Sequence, residues 1–493
     1  MAPAPAPFAV SAPGKVILFG EYAAICGRPA IAAAISLRSY LLVTPNPTPT
    51  PSLRLECLDS NLFFEWSIHD LPWPRTHTHT HTHTHTHSQP DPPTSHPEPA
   101  LIAAITSHLS ATSTTTTTTT KDPISLAFLY LYLSLATPST HPATYTLRSS
   151  IPIGAGLGSS ASVSVCLATA ILVQTCHLPR DFLEWASESS AETESDTNSE
   201  SASHINLITT WSFISEHFFH GCPSGVDNAV SARGGILYFP RRGDQLCSSS
   251  ADQDHDQSQS QSQSQPQPHP PPEDSSPTTP SPLPRTSQPK ITIPPLRLRT
   301  TLPTLLVNTH QPHSTTAATA SLQSTLMTYP LSTMHILDTI ARITDLARDV
   351  LVRSSVGYAG RHLGRLVEMN HNCLVALGAS CERLERVKDV VRESGGGWMK
   401  LTGAGRGVVR EFEAEGFGVY RSGLGEGGVG VLYKNRDGDG DGREERRDEG
   451  EAARELLRDW EGRGRGRKGG TGWRGCWRGV GGEWRSWGEE SGL

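Results

Sequence analysis

Apolar residues recur at helical spacing from Leu331 to Leu351 and again from Leu363 to Leu377, so both stretches are predicted as amphipathic helices. Leu101 to Leu109 and the denser run Ile124 to Leu135 read as core helices, and Val163 to Val173 as another apolar helix. Shorter runs rich in β-branched and aromatic residues predict strands at Phe8 to Val10, Val16 to Phe19, Tyr145 to Arg148 and Leu302 to Val307. Ser11-Ala12-Pro13-Gly14 reads as a turn dividing the first two, and Ala30 to Val43 continues with strand and helix candidates. Ile205 to Pro240 is a further patterned island. Helices and strands alternate throughout, which predicts an α+β class with a two-layer α/β arrangement.

Between the patterned stretches the periodicity vanishes. Residues 76–99 are Thr-His repeats and a Pro-rich run, Thr114 to Thr120 is a homopolymer within a break at 110–122, 187–203 is acidic and Ser-rich, and 248–289 is a Gln/Ser/Pro block. Such compositions bury too little apolar surface to offset the entropy of ordering, so they are expected as disordered insertions or surface loops. Residues 433–493 form a low-complexity tail of Gly, Arg, Asp and Glu with interspersed Trp. Asp437, Asp439, Asp441 and Asp448 mimic a calcium loop but lack its closing Glu, and the GRGRGRK run (462–468) is read as tail composition rather than an RNA site.

Of the 493 residues, 38 are proline, and the foldable part is about 330 residues. The net charge of −7 and the absence of a dense basic face in the patterned regions argue against nucleic acid as partner of the core. The nine cysteines are scattered, odd in number and without CxxC spacing, as expected for reduced thiols. No basic-then-apolar leader opens the chain, and Ile124 to Ala136 is too short to span a bilayer. A cytoplasmic protein with no membrane partner is the expectation.

The candidate chemistry centres on Ile151 to Ser162, IPIGAGLGSSAS, a glycine-rich turn between a strand and an apolar helix. Gly154, Gly156 and Gly158 let the backbone approach a bulky anion, Ser159 or Ser160 is a candidate helix cap, and the unpaired N–H groups of the first turn suit a phosphate. No Lys-Ser/Thr pair closes the turn and its third glycine comes a residue too early for GxGxxG, so neither common nucleotide motif applies. Three further islands carry complementary groups: Lys15 in SAPGKVILFGEY, Glu216 with Asp227, and KLTGAG at 400–405. Backbone donors, oxygen ligands for a metal and a carboxylate base are the requirements of phosphoryl transfer.

SAPGKVILFGEYAAICGRPAIAAAISLRSYL, SIPIGAGLGSS and EHFFHGCPSGVDNAVSARGG together resemble the motifs of the GHMP small-molecule kinases, in their mevalonate-phosphorylating branch. The resemblance implies a two-domain fold, an N-terminal ATP-binding domain over 1–240 and a C-terminal domain over 290–432, with the active-site cleft between them. It implies ATP and Mg2+ as cofactors, mevalonate as acceptor and a homodimer as the assembly. Carried over residue by residue, it makes Asp227 the catalytic base and Lys15 its partner, with Lys15 also on the ATP side. Gly154, Ala155, Gly156, Leu157, Gly158, Ser159 and Ser160 would wrap the phosphates, and Ser149 would touch the nucleotide. Ser160 and Glu216 would hold the metal, and Glu21 and Thr315 would meet the substrate. The alternatives are another GHMP kinase acting on a different alcohol, or a catalytically impaired ATP-binding protein.

Some positions depart from the pattern. Tyr22 stands where the family has His, and His310 and His313 replace a basic pair in NTHQPHSTT. After Gly405 a stretch of roughly two secondary elements is missing before Phe412 to Leu432 resumes the resemblance, as expected if the gene model dropped an exon segment. Sequencing the transcript across codons 400–415 checks this.

Overall fold

The structure is a computed structural model that describes residues 7–46, 51–74, 96–112, 122–179, 197–221, 223–241, 304–309, 315–353, 356–393, 417–422 and 427–433, with isolated positions at 296, 399, 412 and 424–425. The Thr-His repeats, the 248–289 block, His310, His313, the Lys400 to Gly407 turn with the gap proposed after it, and the tail all lie outside these residues.

A seven-stranded mixed sheet carries the first part of the chain, with strand order β4-β3-β5-β2-β1-β9 and β6 pairing with β2. Its strands are β1 (Phe8–Phe19), β2 (Ala30–Pro45), β3 (Ser52–Cys57), β4 (Leu62–Ser67), β5 (Ala143–Ser149), β6 (Ile236–Phe239) and β9 (Gly430–Tyr433). β2 runs as one strand of 16 residues, where the sequence left helix and strand both open. Burial of every side chain from Ala30 to Ile35 erases the alternation that marks a half-exposed strand.

One face of the sheet is covered by helices α1 (Pro99–Thr112), α2 (Pro123–Leu135), α3 (Ser159–Gln174) and α4 (Thr197–His220). α2 is apolar on all sides because it is the middle of that layer, Phe128 meeting the sheet residues Trp66 and Tyr145 and stacking on Tyr132. α4 begins at Thr197, inside the stretch read from sequence as a surface loop ending at Ser203. Its first turns are polar, and the apolar period that reveals a helix starts only at Ile205. α5 (Val226–Arg233) packs Val226, Ala229 and Val230 against the alanines of β2.

The later chain forms α6 (Thr315–Thr328), α7 (Pro330–Arg353), α8 (Val356–Ala376), α9 (Glu382–Glu393) and a two-stranded sheet of β7 (Thr304–Asn308) with β8 (Gly418–Ser422). Ile343, Ala347 and Leu351 of α7 and Leu363 and Leu366 of α8 close over Val16, Phe19 and Ile35. The chain then returns to the first sheet, where β9 pairs antiparallel with Phe8 to Ser11 and Arg38 clamps the carbonyls of Gly427 and Gly428. No helix among the described residues is long and apolar enough to cross a membrane.

All six described cysteines are free thiols. Burial pushes Cys57 and Cys166 up to about 12, whereas Cys176 and Cys381 are exposed. Among the described cysteines, alkylation of the native protein followed by peptide mass mapping should therefore label Cys176 and Cys381 first and reach Cys57 and Cys166 only on unfolding.

Candidate active site

The site is organised by an irregularity in β1. The sequence reads SAPG as a turn between two strands, yet β1 runs unbroken from Phe8 to Phe19 with a bulge between Pro13 and Lys15. Pro is tolerated in a strand at a bulge, where the ladder is already interrupted. The groups the bulge releases are taken by neighbouring elements. Ser162 of α3 donates to the Ala12 carbonyl at 2.7 Å, Ser231 of α5 donates to the Pro13 carbonyl at 2.6 Å, and the Lys15 N–H donates to the Leu157 carbonyl at 2.9 Å. Those bonds tie the strand of Lys15, the glycine turn and the helix of Asp227 into one unit.

Within that unit Lys15 Nζ lies 3.0 Å from Asp227 Oδ2, the lysine side chain 9 % exposed and the aspartate 25 %. Asp227 sits in the first turn of α5, entered through Gly225 at φ 76°, so the helix dipole favours its charge. The glycine turn lies directly alongside. Gly154, Gly156 and Gly158 all have positive φ, and a Cβ on Gly158 would stand 2.8 Å from Lys15 Cγ, while one on Gly154 or Gly156 would meet nothing within 4 Å. Gly158 thus makes room for the lysine and the other two leave the turn open outward. Ala155 and Leu157 between them pack inward.

Neither serine caps α3. Gly158 occupies the N-cap in the left-handed conformation and no side chain caps it, so the capping role expected for Ser159 or Ser160 is not taken up. Ser160 Oγ turns instead to α4, 3.3 Å from Glu216 Oε1 and 2.8 Å from His220 Nε2. Burial first, and then the charge of Asp227, push Glu216 up to about 8, with Lys15 offsetting part of the rise. Its second oxygen has no hydrogen-bond partner among the described residues, and Asn228 faces the carboxylate without closing a bond of normal geometry. A buried carboxylate with an orphaned oxygen beside a serine hydroxyl is an oxygen donor set that fits a hard divalent cation.

Ser149 ends β5 and uses its hydroxyl locally, 3.0 Å from Ser39 Oγ and accepting the Ile151 N–H at 3.2 Å. Glu21 is buried in the turn after β1, and Thr315 opens α6, with its side chain outside the described positions. Lys15, Asp227, Glu216, Ser160 and the glycine turn are therefore brought together. Ser149 stands at the foot of that turn.

The profile of the GHMP kinases N terminal domain matches residues 125–205. The chain is 34% identical over 452 residues to the mevalonate kinase of Gibberella zeae, covering 87% of this chain and 77% of that protein. The chain belongs to the mevalonate kinase family. Identity to the Aspergillus fumigatus mevalonate kinase is 37% over 458 residues, covering 88% of this chain and 74% of the relative. Among solved structures, the L. major mevalonate kinase in complex with R-mevalonate superimposes with a TM-score of 0.51 at 16% identity, covering 84% of this chain and 94% of that one, which speaks for the fold. Membership of this kinase family implies the use of ATP.

Two partners of the candidate site residues escaped the sequence reading. His220 touches Ser160, and its spacing of four from Glu216 on a helix was the available signal. Asn370 donates to Glu21 from a remote helix, which no spacing reveals.

A pH effect follows from Glu216. Its folded pKa of about 8 lies above the ordinary 4.5, so the fold is favoured while the group keeps its proton and loses that advantage as pH rises from about 4.5 through 8. Without metal or nucleotide, Glu216→Gln should gain on the wild type in unfolding free energy between pH 5 and pH 9, by an amount on the order of 2–5 kcal/mol, read as a widening gap between the two melting temperatures. Parallel melting curves across that range would contradict the assignment.

Proposed function

We propose that this family member transfers the γ-phosphoryl group of ATP to the C5 hydroxyl of (R)-mevalonate, giving 5-phosphomevalonate for isoprenoid and sterol synthesis. The observation that carries this reading is the Lys15–Asp227 pair at 3.0 Å, built on the same bulge that anchors the glycine turn. Asp227 takes the proton of the attacking hydroxyl as its oxygen bonds to phosphorus in line with the departing ADP. Lys15 steadies the charge of Asp227 and lowers the pKa of the alcohol. The main-chain N–H groups of Gly154 to Ser159 receive the phosphates at the start of α3.

Ser160 and Glu216 would hold Mg2+, which when bound neutralises charge on the β- and γ-phosphates. His220, donating or accepting at Ser160, fixes the hydroxyl's orientation. Cytoplasmic location and a homodimeric state belong to the same reading, the latter checked by light scattering of the purified chain.

A coupled assay for ADP release tests the function. Turnover that needs both mevalonate and MgATP, and that is absent with galactose or homoserine as acceptor, is the expected result. ATP binding without turnover on any alcohol would overturn it.

A further inference from the structure

Helix α8 reaches the turn after β1 through a buried polar contact. Asn370, with no exposed surface, donates from Nδ2 to Glu21 Oε2 at 3.0 Å. The turn that presents Glu21 is unusual. Gly20 and Tyr22 on either side of it both have positive φ, 93° and 61°, and a bulky residue is strained in that region. Such a conformation persists where the surroundings fix it. Ala23 is packed in one cluster with Leu374 of α8, Leu377 just after it, and Leu337 and Ile340 of α7, with Tyr22 against the same cluster. Ala24 packs instead against the cluster that Val226 and Ala229 of α5 form with the alanines of β2. The turn that carries Glu21 is thereby fixed between the α7–α8 cluster and the cluster that includes the helix bearing Asp227.

A turn needed only for packing would carry an apolar residue at a position 6% exposed, because burying a carboxylate is costly unless it is bonded. Asn370 supplies that bond, and in doing so fixes which end of its amide faces the carboxylate. The other end is not satisfied. Asn370 Oδ1 is buried without a hydrogen-bond partner among the described residues, although buried polar atoms are almost always paired. An asparagine placed for structure alone would use both ends, whereas a spare acceptor beside a held carboxylate suits the hydroxyl of a ligand.

We propose that Asn370 is a positioning residue for the acceptor substrate: it holds the Glu21 carboxylate in one orientation and completes with it a recognition couple for a hydroxyl of the hydroxy acid. This rests on the reading of the chain as a mevalonate-phosphorylating enzyme. Specificity for the acceptor then depends on a helix of the later part of the chain that touches neither the glycine turn nor the Lys15–Asp227 pair in any bond found among the described residues.

Steady-state kinetics of the full chain with (R)-mevalonate and MgATP test it, using Asn370→Ala, the isosteric Asn370→Asp, Glu21→Gln and the double variant Glu21→Gln/Asn370→Ala. The expected result is a KM for mevalonate raised about tenfold or more in Asn370→Ala, the worth of a lost hydrogen bond to a charged group, with kcat and the KM for ATP within about threefold. Asn370→Asp, which sets carboxylate against carboxylate, should raise that KM at least as far. The double variant should be little worse than Glu21→Gln, because one residue acts through the other. A mevalonate KM within about twofold of wild type in folded Asn370→Ala or Asn370→Asp would overturn the proposal. So would strictly additive single effects, or kcat and both KM values moving together with the melting temperature. Wild-type enzyme that leaves mevalonate unphosphorylated would instead remove the functional reading and this proposal with it.

Discussion

Asp227→Asn should lower kcat by roughly 10²–10⁴-fold while leaving the KM values for ATP and mevalonate within a few-fold. The substitution keeps the shape of the side chain and removes both the proton acceptor and the negative partner of Lys15 at 3.0 Å. Because Asp227 is a quarter exposed and Lys15 only 9 %, the cation left behind is the more deeply buried member and must find water or phosphate instead. Its attraction to bound nucleotide should persist, which is why substrate binding survives the change. A second consequence separates this site from a simple surface pair: without the charge of Asp227, one of the causes that raise Glu216 disappears, and Glu216 should ionise at lower pH. Residual activity within about tenfold of wild type would remove Asp227 from the base role.

Gly20→Ala should be among the most damaging single changes to the fold. A Cβ there would lie 2.4 Å from the Pro29 carbonyl oxygen and 2.6 Å from Ala30 Cα, and both are backbone atoms at the start of β2. β2 is paired with β1, β5 and β6, so it cannot yield without disturbing three ladders. The positive φ of 93° adds a conformational penalty to the overlap. Together these place the loss at about 4 kcal/mol or more, a drop of about 10 °C or more in melting temperature, and low yields of folded protein. Gly154→Ala is the informative control, since its φ is also positive but nothing lies within 4 Å of the added methyl group. Thermal unfolding should show that variant within about 2 kcal/mol of the wild type. Equal losses at the two positions would mean that backbone conformation, not overlap, governs the turn after β1.

Much of this enzyme was written in local sequence. The amphipathic periods of α7 and α8, the strand before the glycine turn and the apolar helix after it depend on residues near one another in the chain, so hydrophobic spacing exposes them. The motif segments around Lys15, Gly154 to Ser160 and Asp227 likewise carry the residue types that phosphoryl transfer demands, and the structure brings them together. What spacing did not reveal was how distant groups satisfy each other. SAPG became a bulge rather than a turn because Ser162 and Ser231, far along the chain, donate to the carbonyls it frees. Ser160 left the cap to Gly158 because Glu216 and His220 stand opposite it. The raised pKa of Glu216 comes from burial and from Asp227, and the orientation of Glu21 from Asn370 on α8. Residue type and spacing determined the elements and the kind of chemistry, since both act over a few residues. Tertiary packing alone decided protonation, hydrogen-bond partners and the aim of each site side chain, since these depend on desolvation and on groups hundreds of positions away.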